Sequence, residues 1–80
     1  MSKRKVSPDG LWTWIILKTN DVARWNLSSL QREDREYVES LLKQIAAKIS
    51  SDGDIQRLEK ILNEVSGDAF EVLERLAMLF

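Results

Sequence analysis

The sequence contains no cysteine and no histidine among its 80 residues. Without cysteine no disulfide can form, and without either residue the usual ligands of structural zinc sites are missing. Nucleophilic and acid/base catalysis at neutral pH also depends most often on these two side chains. The composition therefore predicts a non-catalytic protein that holds no metal ion.

Glycine is scarce, and carboxylates are not grouped as catalytic acids. The three glycines, at positions 10, 53 and 67, lie too far apart for a phosphate-binding loop, so we expect no nucleotide and no other cofactor. The densest run of carboxylates, at residues 33–39, is interleaved with Arg32 and Arg35. That pattern indicates a solvated helix face, where each acid keeps ordinary properties.

Long apolar runs are also missing. The longest, Leu11 to Leu17, is interrupted by Thr13 and is far shorter than the roughly 20 residues that cross a bilayer. The basic residues in front of it resemble a secretion signal only superficially, because the residues at positions 8–10 break the pattern. We therefore expect no membrane segment and a cytoplasmic location.

Hydrophobic residues make up 44% and charged residues 31% of the chain, as is typical of a globular protein. Eighty residues suffice for one domain. A single core of this size rarely supplies more than roughly 3 to 5 kcal/mol, so additional support is expected. With disulfides excluded, the remaining source is association with another polypeptide, and a homo-oligomer is one form of it.

Apolar spacing predicts helices over the last two thirds of the chain. From about Gln31 to Ser50, apolar residues recur every three or four positions, as one face of an amphipathic helix requires. Residues 51–53 then supply a turn, after which Asp54 can cap a third helix that runs to about Val65. Asp68, with Glu71 three residues later, resembles a capping box at the start of a final helix.

The secondary structure of the first third of the chain is less clearly predicted, because its residues fit either a helix or a strand. Ser7, Pro8 and Asp9 form a plausible helix start, whereas residues 11–17 are rich in the aromatic and β-branched residues that strands prefer. A strand would lack neighbours elsewhere in the chain, so we favour a helix to about Trp25 with Leu11, Ile15, Val22 and Trp25 along one stripe. The predicted fold is all-α, a compact cluster of three to four short helices forming one domain over residues 1–80, with residues 1–6 as a flexible basic arm.

The final helix is apolar over more of its surface than one neighbour can cover. Two tryptophans in the first helix point about 200° apart, so one of them should face outward. Tryptophan is enriched at interface centres, although all three indoles of the chain can equally fill a small core. We predict a regulatory or protein-binding module that docks on a partner or on itself through these residues: Trp12, Trp14, Phe70, Leu73, Leu76, Leu79 and Phe80.

An alternative is a small DNA-binding regulator. The second and third predicted helices, joined by a short turn, are compatible with a helix-turn-helix unit, and residues 1–25 carry a net charge of +3 against −4 for the remainder. The outward side chains of the third helix are nearly balanced in charge, which argues against this function. Under this alternative, the contacts with DNA are made by Lys3, Arg4, Lys5, Gln56, Arg57 and Lys60.

Overall fold

The computed structural model describes residues 6–80. Its elements are α1 (Pro8–Thr19), two single 3-10 turns (Val22–Arg24 and Leu27–Ser29), α2 (Arg32–Lys48), α3 (Asp52–Glu64) and α4 (Ala69–Leu79). These residues include no strand. The predicted all-α cluster of three to four helices is therefore confirmed, while Lys3, Arg4 and Lys5 of the predicted arm lie outside the described residues.

Helix α1 is shorter than predicted. Ser7 accepts a hydrogen bond from the amide of Gly10 at 3.0 Å and caps its first turn, with Pro8 at the first helical position. The helix ends at Thr19 because Asn20 adopts a left-handed conformation (φ 55°, ψ 35°), which terminates a helix and which asparagine tolerates better than most residues. Two residues of the predicted apolar stripe, Val22 and Trp25, follow Asn20 and are exposed. The predicted extension of the helix to about Trp25 was therefore wrong.

The other helices begin and end close to the predicted positions. Ser51, and not Asp54, caps α3. The Ser51 hydroxyl oxygen accepts a hydrogen bond from the backbone amide of Asp54 at 3.3 Å. The Asp54 carboxylate accepts a hydrogen bond from the backbone amide of Ser50 at 3.0 Å. This hydrogen bond favours the ionised carboxylate and so lowers the pKa of Asp54. Asp68 caps α4 as predicted, since its Oδ1 accepts the amide of Glu71 at 3.0 Å.

One apolar core joins the four helices. Helix α4 packs against the other three, and α1 packs against α2 and α4 but only slightly against α3, while α2 and α3 have few contacts with one another. Within residues 6–80 no polar side chain is buried. The buried side chains are Leu11, Trp12, Ile15, Ile16, Val38, Leu42, Ile45, Ile49, Ile55, Leu58, Leu62, Val65, Ala69, Val72, Leu73 and Leu76.

Candidate partner-binding groove

Helix α1 is apolar on opposite sides, and the chain covers only one side completely. Its core side is fully buried and includes Leu11 and Trp12. On the other side, Trp14 is partly buried and Leu17 is 63% exposed. A helix that is apolar all round is normally enclosed on every side. The outer side of α1 is therefore one place where this fold leaves apolar surface uncovered, in addition to the exposed side chains of Val22, Trp25 and Met78.

An open groove of about 400 Å³ follows this outer side, between α1 and α3. Leu62 of α3 is 7% exposed and forms its floor, with the partly buried indole of Trp14 beside it. Leu17 stands at the rim. The lining residues of this α1–α3 groove are Trp14, Leu17 and Lys18 from α1, and Glu59, Leu62 and Asn63 from α3.

Helical spacing places the lining residues of each wall on one side of their helix. Leu17 and Lys18 follow Trp14 by three and four residues, and Leu62 and Asn63 follow Glu59 by the same intervals. Each wall therefore presents a continuous stripe to the groove. The α1 stripe is apolar with a cation at its end, and the α3 stripe has one apolar residue between polar ones.

The two walls carry opposite charges that do not neutralise each other. Lys18 lies on the α1 wall and Glu59 on the α3 wall, yet the ion pairs among residues 6–80 are Asp21–Arg24 and Arg32–Glu36. The side-chain hydrogen bonds found in this part of the chain do not connect α1 to α3 either. Packing between these two helices is slight. The groove is therefore not closed by the chain itself.

A second cleft, of about 430 Å³, lies between α2 and α4 and is lined by Tyr37, Leu41, Glu74, Ala77 and Met78. Here the chain does make a bridge, because the Tyr37 hydroxyl donates to the Glu74 carboxylate at 2.7 Å. This hydrogen bond to the carboxylate raises the pKa of Tyr37. Met78, which also lines this cleft, is 84% exposed. Helices α2 and α4 nevertheless pack against each other here and are joined by the Tyr37–Glu74 hydrogen bond.

Three of the predicted partner-binding residues are not on the surface. Trp12 is 2% exposed and both Leu73 and Leu76 are 0% exposed, so the folded chain cannot present them to a partner. The physical reason is the position of α4, whose broad apolar face is covered by three helices of the same chain. The Trp12 indole Nε1 also donates to the carbonyl oxygen of Arg24 at 2.9 Å, which satisfies its polar atom inside the fold.

The other predicted residues lie in different places. Trp14 lines the α1–α3 groove. Phe70 is partly buried under the Arg24 guanidinium, which lies 4.6 Å from its ring centroid. Phe80 packs below the Arg57 guanidinium at 5.2 Å, while Leu79 is 51% exposed. The predicted set therefore does not form one surface.

Sequence reasoning missed most of the groove. Leu17 carried a usable signal, since it follows the outward Trp14 by one turn of the same helix. Lys18, a cation in the last turn of α1, carried no such signal. The α3 residues Glu59 and Asn63 belong to a polar face, and only tertiary packing brings that face beside α1.

The residues named for DNA binding have other surroundings. Gln56 and Lys60 are exposed on α3, but Arg57 donates to the carbonyl oxygen of Leu79 at 3.1 Å. A recognition helix presents its N-terminal residues to DNA, and that end of α3 carries the carboxylates of Asp52 and Asp54. Negative charge there opposes the approach of phosphate. DNA binding remains a prediction without a supporting observation.

Within residues 6–80, no cluster of three or more side chains of the metal-ligating types is arranged to hold a metal ion. Over the same residues, no helix has both the length and the apolar character that a bilayer crossing demands. Comparison with protein-family models, with curated proteins and with solved structures gives no match to this chain.

Proposed function

We propose that this protein is a small non-catalytic binding module that docks another polypeptide in the α1–α3 groove. The observation that carries the proposal is the incomplete cover of α1, which leaves Leu17 63% exposed beside the partly buried Trp14. A regulatory role and a cytoplasmic setting, both predicted from the sequence, belong to the same proposal.

The groove has the chemistry of a docking site for an apolar side chain. An entering aliphatic or aromatic group contacts Leu62, the Trp14 indole and Leu17 together and expels water from all three. Full burial of one such side chain contributes about 1.5–3 kcal/mol. Tryptophan adds a large rigid surface at a small entropic cost, which is why it recurs at interface centres. Lys18 and Glu59 at the margins then orient a partner through its charges.

The α2–α4 cleft supports this function less well. Its polar groups are already satisfied within the chain, since Tyr37 and Glu74 bond to each other across it. A partner that separated this pair would have to replace the hydrogen bond between the Tyr37 hydroxyl and the ionised Glu74 carboxylate. No comparable bond has to be replaced in the α1–α3 groove.

Site-specific photo-crosslinking in cells that produce the protein tests the proposal. A photoreactive amino acid replaces Leu17 at the groove rim, and in separate variants it replaces Val22 or Met78, which are 74% and 84% exposed away from the groove. We expect position 17 to give a discrete covalent adduct with a polypeptide, either another protein or a second copy. Positions 22 and 78 should give none of comparable yield.

The result that overturns the proposal is equally direct. If position 17 yields no more adduct than position 22, the groove does not hold a polypeptide. A dominant adduct from position 78 would move the docking site to the α2–α4 cleft and contradict the assignment to α1 and α3.

A further inference from the structure

We infer that the polypeptide in the α1–α3 groove is a second copy of this chain, bound through the same groove about a two-fold axis. The inference rests on the proposed function and names its partner. It is carried by the charges on the walls: one cation, Lys18, on α1 and one anion, Glu59, on α3, with apolar side chains between them.

A two-fold interface brings the same patch of both chains together, so the patch has to complement itself. Two orientations of the axis are possible when the grooves face one another. An axis across the groove sets α1 against α1 of the second copy, so that walls of like charge meet. An axis along the groove sets α1 against α3 of the second copy, so that the wall with Lys18 of each chain meets the wall with Glu59 of the other. The charges select the axis along the groove, because it brings walls of opposite charge together in place of walls of like charge.

The same orientation also covers the exposed apolar surface. With α1 of each chain above α3 of the other, the wall that carries Leu17 of one copy lies over the wall that carries Leu62 of the second, and the reverse arrangement follows by symmetry. The outer side of α1 is then enclosed by its own chain and by the second copy. The charges fix the orientation, and the leucines and Trp14 supply the apolar contact.

The first measurement is molar mass by light scattering and sedimentation of the full chain over a dilution series. A small interface gives a reversible dimer with a dissociation constant in the range from about 1 μM to about 1 mM, so the series spans those concentrations. Leu17→Lys should raise the dissociation constant at least about tenfold. A lysine there lies in the last turn of α1, where a cation favours the helix, so dissociation cannot be attributed to loss of the helix. Val22→Lys is the matched control and should dimerise like the wild type.

The second measurement exchanges the charges. Lys18→Glu alone and Glu59→Lys alone each create two like-charge pairs per dimer and should each weaken dimerisation about tenfold. An equimolar mixture of the two variants should dimerise again, because every pair across the interface is then opposite in sign. The double variant Lys18→Glu/Glu59→Lys should also dimerise on its own, which shows that both substitutions leave the fold intact.

Three results would overturn the inference. These results are a chain that stays monomeric up to the highest concentration, single variants that dimerise as strongly as the wild type, and a mixture that does not recover dimerisation. A monomeric chain that still crosslinks from position 17 to a different protein refutes the second copy and leaves the proposed function standing. If neither a dimer nor an adduct from position 17 forms, both the proposed function and the inference about the second copy are refuted.

Discussion

The α1–α3 groove and the α2–α4 cleft have similar volumes, about 400 and 430 Å³, and both contain apolar side chains. They differ in the contacts that the chain makes across them. Helices α2 and α4 pack closely and are joined by the Tyr37–Glu74 hydrogen bond, whereas α1 and α3 touch slightly and carry separate charges on their walls. Because both clefts expose apolar side chains, exposure alone does not distinguish them as candidate docking sites. We base the proposal on the α1–α3 groove because, over the described residues, the two helices that form it are not joined by a side-chain hydrogen bond or an ion pair.

The largest expected effect compares two leucines one turn apart on α3. Leu58 is 0% exposed in the core, and Leu62 lies at the groove floor. Leu58→Ala should lower the free energy of unfolding by about 3–5 kcal/mol because the cavity it leaves is enclosed. Leu62→Ala should cost less, about 1–2 kcal/mol, because neighbours can relax into the open groove. Because the first loss is comparable with the roughly 3 to 5 kcal/mol that a core of this size supplies, circular dichroism should show Leu58→Ala largely unfolded without urea, whereas Leu62→Ala should give a urea transition.

Equal losses at the two positions would break the comparison, since they would mean that Leu62 is as tightly enclosed as Leu58. The measurement should be made at low protein concentration, where any self-association through the groove is minimal.

The next effect compares the two tryptophans of α1. Trp12→Phe removes the indole N–H that donates to the Arg24 carbonyl at 2.9 Å, and it should cost about 1–3 kcal/mol because the remaining carbonyl loses its partner. Trp14→Phe should change the free energy of unfolding by less than about 0.5 kcal/mol, as a conservative change at a partly exposed site. Thermal and urea unfolding of the two variants test the difference. If Trp14→Phe lost more stability than Trp12→Phe, then Trp14, and not Trp12, would be the indole that stabilises the core, which contradicts this structure.

The smallest effect tests the bridge across the α2–α4 cleft. Tyr37 is the one tyrosine of the sequence, so its phenolate can be titrated alone by ultraviolet absorbance. Its pKa should lie above the ordinary value for tyrosine because the hydroxyl donates to Glu74, and Glu74→Gln should bring the pKa down towards that ordinary value. A group whose pKa is raised by folding stabilises the fold below its unfolded pKa, and the contribution is lost as pH rises through the folded value. The stability advantage of the wild type over Tyr37→Phe should therefore shrink in strongly alkaline solution.

A Tyr37 midpoint that does not move when Glu74 becomes Gln would mean that the hydroxyl does not bond this carboxylate in solution. The charged and polar side chains of the cleft would then be as unbridged as those of the α1–α3 groove, and only the closer packing of α2 and α4 would distinguish the two regions.

Much of the helical architecture was predictable from local chemistry. The Ser7 and Asp68 caps were visible in the sequence, and apolar spacing located α2, α3 and α4. The end of α1 was missed because the apolar pattern continues to Trp25, while the backbone of Asn20 turns left-handed and breaks the helix. A single residue with unusual backbone freedom outweighed the periodicity.

The groove could be predicted only in part. The sequence indicated that one of Trp12 and Trp14 faces outward, but it did not say which, and it gave no way to choose which of the other helices stays apart from α1. The broad apolar face of α4 suggested an interface, and three neighbouring helices instead cover Leu73 and Leu76. Pairing between distant segments decides which apolar faces remain exposed, and a local pattern does not contain that information.

The turn at Gly67 restricts the routes by which this sequence can change during evolution. Its φ of 132° disfavours every residue with a side chain, and an added Cβ would lie 3.0 Å from the Cβ of Glu71. This residue directs the chain into α4, which packs against all three other helices. Many surface positions can drift one at a time, but a substitution at position 67 would alter the path of the central helix and so affect the whole bundle in one step.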